Sequence, residues 1–473
     1  MCLCGKKYLH QYINNQYINT STINNQYIHK FPTMVYFFLR YPIWFSFMYY
    51  YRKTYLINQQ RIPQGVATLV VANHGNTFID PIFVAAWQWR NLFFWARSNE
   101  FTSPLMAWFM RSVHVLPIFR IRDGKEHMHK NDQTFERSKQ LWEQKQMLFI
   151  APEGDCWAEK RLRTLRLGAA KLVFSFLTQA PDQKLYIQPA GMTFDTIGHG
   201  SGEAFLSYGE PFLANDFLPL YQTSPDEALQ KLTDAFAVGI KAEMVHINNY
   251  EEAHQTVESL LYWHRTFEYA HSIFPLSAQD TPLRKMQAVV KAYESLDTNS
   301  QKCIQELLEA HQAARMSFKF LIPDYGLAHR NKSYLLPLLV VLALSPVALA
   351  GIVLGSAPVW LAQQLREKYV KDDTFKSPVA MVLGSGLFII WNIIMLIVAL
   401  VVGWGWIGAM GLLIASWKTY YIYTRWKWSA SRIWQQYQYR NISQSTSPKV
   451  ENLEQTFDAL MNYLAKVGVP MRG

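Results

Sequence analysis

The sequence predicts an α/β domain, a mixed sheet flanked by helices, followed by a helical region and by C-terminal membrane helices. Three observations carry this. Short apolar runs ending in Gly, Pro, Asp or Arg alternate with helix-forming segments between roughly residues 60 and 215. Apolar residues at i, i+3, i+4 spacing dominate residues 225–320. Two long apolar blocks then occupy 334–361 and 378–421. The 473 residues suffice for two or three domains. The expected divisions are 1–33, 34–60, 61–222, 223–332, 333–421 and 422–473.

Residues 1–33 read as a disordered, low-complexity leader. Asn14-Asn-Gln-Tyr-Ile18 recurs as Asn24-Asn-Gln-Tyr-Ile28 in a polar tract that buries too little surface to fold, and Met34 opens a more typical start. Residues 34–60 read as an interfacial aromatic helical segment, because Pro42 and Arg40 disfavour a clean span and aromatic rings suit headgroup depth.

The α/β region, 61–222, holds the candidate chemistry. Ala67-Thr-Leu-Val-Val-Ala72 reads as a buried strand and runs straight into Asn73-His-Gly-Asn-Thr-Phe-Ile-Asp-Pro81. That order delivers His74 to a sheet rim with Asp80 six positions on. Near neutral pH an imidazole takes a proton from a hydroxyl, and a carboxylate on its other nitrogen fixes the tautomer. Val115-Leu-Pro-Ile-Phe-Arg-Ile-Arg122 is a second run, closing on Arg120 and Arg122. Met147-Leu-Phe-Ile-Ala151 ends in Pro152-Glu-Gly-Asp155 and is followed by the cationic segment Lys160–Arg166. Leu185-Tyr-Ile-Gln-Pro-Ala-Gly191 is a fourth run, with Pro189 inside it. Strand ends of this kind gather on the carboxyl side of a sheet, where α/β proteins place ligands.

These four blocks, in this order, resemble the glycerolipid acyltransferase superfamily, which moves an acyl chain from a thioester to the hydroxyl of a glycerol phosphate or lysophospholipid. The resemblance covers roughly residues 60 to 215 and implies an acyltransferase-type mixed sheet. The spacing, five residues between His74 and Asp80 where the family more often has four, looks like a glycerol-3-phosphate or 1-acylglycerol-3-phosphate acyltransferase-like branch. A wider turn at Gly75-Asn76 would absorb the extra residue. Asp155 stands where family members usually carry Thr or Ser.

By that resemblance His74 is the general base and Asp80 its orienting partner. Arg120, Arg122 and Arg166 hold the acceptor phosphate, while Glu153 and Gly154 shape the acceptor pocket. The donor is acyl-CoA or acyl carrier protein, and neither cofactor nor metal is required. Two other classes stay open: an acyltransferase of another lipid acceptor, such as an amino-acid or sugar lipid, and a catalytically inactive membrane adaptor.

Composition bounds the partners. Lys and Arg number 46 against 35 Asp and Glu, a net charge of +11, which fits nucleic acid or an anionic membrane. The 26 Tyr, 28 Phe and 16 Trp beside long apolar stretches favour the bilayer, and no nucleic-acid-binding motif is present. Four cysteines, Cys2, Cys4, Cys156 and Cys303, lack zinc-ribbon spacing and point to a reducing compartment. Cys156 reads as packing. Histidines 246, 254, 264, 271 and 311 of the amphipathic helical region, 223–332, make no metal motif and read as surface or packing residues.

The span 333–421 reads as membrane hairpins. The first block, with Pro337, Pro346 and Pro358, fits a re-entrant or short hairpin, and the second a two-helix hairpin turning near Gly403; plain crossings, one then two, are the alternative. Basic flanks around Arg366–Lys376 and Lys418–Arg432 place the catalytic domain of this integral membrane protein on the cytoplasmic face. The tail, 422–473, is a basic-aromatic stretch plus a short amphipathic helix around Leu453–Leu464, expected against the membrane surface or the catalytic domain.

Overall fold

The computed structural model describes residues 31–119, 129, 131–195, 202–268, 282–318, 324–371, 373–444 and 447–471. The leader expectation therefore falls outside the described residues except for 31–33, and the expectations for Arg120, Arg122 and His271 fall outside them entirely.

A helix, α1 (Phe31–Tyr50), precedes the sheet. The α/β unit then runs β1 (Lys53–Ile57), β2 (Ala67–Ala72), α2 (Ile79–Ala86), β3 (Leu92–Arg97), α3 (Pro104–Ser112), β4 (Val115–Ile118), α4 (Asn131–Glu143), β5 (Met147–Ile150), α5 (Gly168–Gln179), β6 (Leu185–Phe194), β7 (Glu203–Tyr208) and β8 (Phe212–Leu213). These strands form one eight-stranded sheet in the order β1-β7-β6-β2-β5-β3-β4, with β8 beside β6. The β2, β5, β3, β4 half is parallel, and β6 meets β7 and β8 antiparallel. Every residue of β2 is buried, as its unbroken apolar run requires of a central parallel strand.

One sheet face packs on α1, α2 and α3 through Phe47, Phe83 and Met110. The other packs on α4, α5 and, after the short α6 (Leu218–Thr223), on α7 (Pro225–Glu243), through Trp142, Phe174 and Phe236. Pro189 sits in β6 between the residues paired with β8 and those paired with β7, so its missing N–H falls where that side of the ladder is interrupted. Its ring lies against Gly239 of α7, where an added Cβ would come within 2.6 Å.

A second core joins α8 (Tyr250–Glu268), α9 (Pro282–Glu294) and α10 (Thr298–Met316) to Ile57 and Phe205 at the sheet edge. A short α11 (Asp324–Ala328) leads to three long helices: α12 (Leu335–Tyr369), α13 (Asp373–Val401) and α14 (Gly405–Ser443). Among the described residues two stretches, Leu335–Tyr369 and Pro378–Val401, are long and apolar enough to cross a membrane. The last helix, α15 (Pro448–Lys466), buries Leu453, Phe457, Leu460 and Leu464 in the second core. It packs against the helical region, chiefly on α10.

The first apolar block is one continuous helix rather than a re-entrant or short hairpin. Prolines 346 and 358 lie inside this helix, and at Pro358 the carbonyl deprived of its N–H partner meets side-chain donors from neighbouring helices. Pro358 cannot donate to the Leu354 carbonyl, which instead accepts Trp391 Nε1–H at 2.8 Å and Ser416 Oγ–H at 3.3 Å. Close approach follows, since a Cβ on Gly351 would lie 2.3 Å from the Thr419 carbonyl oxygen. The basic-aromatic stretch from 422 simply continues α14.

Candidate active site

Register places the site. Val71 of β2 pairs with Ile150 of β5, so the third residue beyond each, His74 and Glu153, emerges at the same level of the sheet. Phe94 of β3 pairs with Phe149, which brings Arg97 level with Pro152. Three strand ends thus meet at one edge.

His74 Nδ1 lies 2.8 Å from Asp80 Oδ2, and the Asp80 carboxylate is fully buried while the imidazole is partly exposed. The Asn76 backbone N–H donates to the same Asp80 oxygen at 2.9 Å. A carboxylate only accepts, so the ring proton sits on Nδ1 and Nε2 carries the lone pair. Between His74 and Asp80 the backbone passes through Thr77 with a φ of +34°. The Thr77 backbone N–H donates to Cys156 Sγ at 2.9 Å, which holds this uncommon conformation. Burial pushes the Cys156 thiol up to about 12, so it stays protonated.

Glu153 is engaged by backbone. Its Oε1 accepts the His74 N–H at 2.7 Å and its Oε2 the Arg163 N–H at 3.0 Å. Burial raises its carboxyl to about 7 against the pull of those two bonds. Gly154 turns with φ +75°, and a Cβ there would lie 2.7 Å from Arg166 Nε.

The expected cationic segment is an irregular strand of chain ahead of α5. Lys160 pairs with Glu258 of α8 at 2.7 Å, and Arg163 pairs with Glu159 while lying 3.8 Å over the Trp157 ring. Arg166 Nη2 approaches Asp155 Oδ2 at 3.3 Å, and Arg97 Nη2 approaches Asp155 Oδ1 at 3.5 Å. Of the expected site residues the structure brings together His74, Asp80, Glu153, Gly154 and Arg166. Arg97 joins them without having been anticipated. Its cue is the one that marked Val115–Arg122, an apolar run closing on arginine.

The described histidines of the helical region take packing roles. His246 Nδ1 accepts the Leu162 N–H at 3.0 Å, and His311 lies against Trp263 and Phe457. Among the described residues no group of three or more His, Cys, Asp or Glu side chains could hold a metal ion.

No curated protein matches the chain. Among solved structures it is similar to the crystal structure of the 1-acyl-sn-glycerophosphate (LPA) acyltransferase, PlsC, from Thermotoga maritima, at 16% identity over 45% of this chain and 76% of that one, with a TM-score of 0.31. Residues 53–193, from β1 into β6 and across His74, Asp80 and Glu153, match the family model described as Acyltransferase.

Proposed function

We propose that this chain is a membrane-bound O-acyltransferase that moves a fatty acyl group from a thioester donor to the hydroxyl of glycerol 3-phosphate or a lysophospholipid. The 2.8 Å contact between His74 Nδ1 and Asp80 Oδ2 carries the reading, because it leaves Nε2 as a base on a partly exposed ring at a sheet edge. Nε2 takes the acceptor's hydroxyl proton as the oxygen attacks the thioester carbonyl carbon. The tetrahedral intermediate collapses, the C–S bond breaks, and the imidazolium returns the proton to the departing sulfur. General-base help of this kind is worth about 10²–10⁴ in rate. The Asp80 carboxylate steadies the imidazolium while it lasts.

No acyl-enzyme is needed, and the protonated, hydrogen-bonded Cys156 thiol offers no nucleophile for one. Arg166 and Arg97 supply guanidinium groups for the acceptor phosphate, with Arg120 and Arg122 assigned the same task from the family motif. Glu153 acts in this reading by fixing the backbone beside His74. The two long apolar helices hold the domain at the bilayer, with the site on the cytoplasmic side.

The test is acyl transfer by the purified, detergent-solubilised protein, with labelled glycerol 3-phosphate and lysophosphatidate offered side by side and one acyl-CoA as donor. Transfer to either supports the proposal and names the acceptor. His74→Ala should abolish it in a folded protein; near wild-type turnover in that variant removes the mechanism.

A further inference from the structure

The two faces of the sheet carry helices of opposite character. On one side, α4 and α7 present Asp132, Glu136, Gln230, Lys231 and Asp234 to solvent and keep Leu141, Trp142, Leu229, Leu232, Phe236 and Ile240 inside. That is the ordinary amphipathic arrangement. On the other side, α3 reverses it. Met110 and Ser112 are its buried residues, while Leu105 is 74% and Trp108 54% exposed, with Met106 and Phe109 also exposed. The helix is nonetheless well defined, since Ser103 caps it by accepting the Met106 N–H and Pro104 occupies its first turn.

This surface extends across α1, which packs on α3 and exposes Phe38. Two features name its occupant. The patch continues into the long apolar helices, because α1 packs on α13: Ser46 hydrogen-bonds Ser385, and Met381 enters the same core as Phe47. The patch is also edged by cations in the aromatic setting of a headgroup layer, with exposed Arg111 in the last turn of α3 and Arg40 5.2 Å from the ring of Trp89, itself 87% exposed.

We propose that α3 and the outer side of α1 are inserted together into the headgroup–acyl boundary of a phospholipid bilayer, with the α4 and α7 side facing water. The sheet then stands on one face. Because α3 begins just after Arg97, at the edge that carries His74, this orientation sets the mouth of the site at the lipid surface. The inference concerns only how the domain is seated and stands whether or not the acyl-transfer reading does.

The full chain is reconstituted into nanodiscs of phosphatidylcholine and phosphatidylglycerol with radiolabelled acyl chains, carrying the photo-crosslinker p-benzoylphenylalanine at Leu105, Trp108 or, as the opposite-face control, Val238 of α7, which is 71% exposed. On irradiation positions 105 and 108 should take up lipid label at least about ten-fold above position 238. Met106 replaces either position if it does not accept the probe. Equal, background labelling at all positions overturns the proposal. So does crosslinking of 105 or 108 to a second copy of the chain in place of lipid, which would make this face a protein interface.

Discussion

Glu153 Oε1 accepts the backbone N–H of His74 at 2.7 Å while its Oε2 accepts that of Arg163 at 3.0 Å, so one buried carboxylate ties the loop after β2 to the loop after β5. Glu153→Gln keeps the shape but replaces one acceptor oxygen with an NH₂ that must face an N–H. A buried donor left unsatisfied costs about 1–3 kcal/mol. The variant should melt several degrees lower and should lose kcat more than it raises the acceptor KM, because the displaced element is the base. A variant with unchanged melting and a defect only in KM would return Glu153 to the acceptor pocket.

Asp80 is fully buried, and its Oδ2 meets His74 Nδ1 and the Asn76 backbone N–H. Asp80→Asn preserves the volume, but the amide can present its NH₂ to Nδ1 and favour the proton on Nε2, the wrong tautomer for a base. Turnover should fall by about 10² or more while the acceptor KM stays within a few-fold. A pH–rate profile that keeps its wild-type amplitude in this variant would show that the pair is structural.

Part of this site was legible in the sequence because its logic is local. His74 and Asp80 are six residues apart at the end of an apolar run, and strand register does the rest. Glu153 could be found as a strand-end residue, yet its partners are backbone groups, one of them 79 positions away, and no side-chain pattern announces those. Arg97 closes an apolar run as Arg120 does, but no further motif residue stands beside it. The sheet was readable from its apolar runs, whereas the continuity of α12 was not. A proline's local tendency to break a helix is visible in sequence, and the Trp391 and Ser416 donors that offset it are brought near only by packing. The reversed polarity of α3 needed exposure to be seen at all.

Gly154 combines a φ of +75° with a side chain pressed against the place a Cβ would take. Gly154→Ala should cost about 1–2 kcal/mol for the left-handed backbone alone. It should also push Arg166 aside, raising KM for a phosphate-bearing acceptor several-fold with a smaller change in kcat. An acceptor KM identical to wild type would detach Arg166 from phosphate binding.

Two histidines give the fold an acid limit. Burial pushes His114, stacked between Tyr36 and Phe93, down to about 4, and pushes His246 to a similar value. The unfolded chain, with imidazoles near 6.5, binds more protons between those values, so stability is full above about pH 6.5 and is lost as pH falls towards 4. For His114, 5% exposed, the loss is up to about 3 kcal/mol. Melting temperatures of the solubilised protein should drop between pH 7 and pH 5. His246→Gln, which retains an acceptor for the Leu162 N–H, should show a shallower drop; an unchanged slope would exclude His246 as a contributor.

Pro358 and Trp391 form a compensating pair across α12 and α13. Proline leaves the Leu354 carbonyl without its helical N–H, and Trp391 Nε1–H fills that vacancy at 2.8 Å, with Ser416 Oγ–H further off at 3.3 Å. Trp391→Phe removes the shorter bond at little change in volume and should destabilise the detergent-solubilised chain by about 1 kcal/mol. Pro358→Ala supplies an N–H from within α12, so in its presence the cost of losing Trp391 should shrink. The coupling follows from a double-mutant cycle on melting temperature. If the two substitutions are additive, the carbonyl is not what links them, and the tolerance of α12 for its second proline requires another cause.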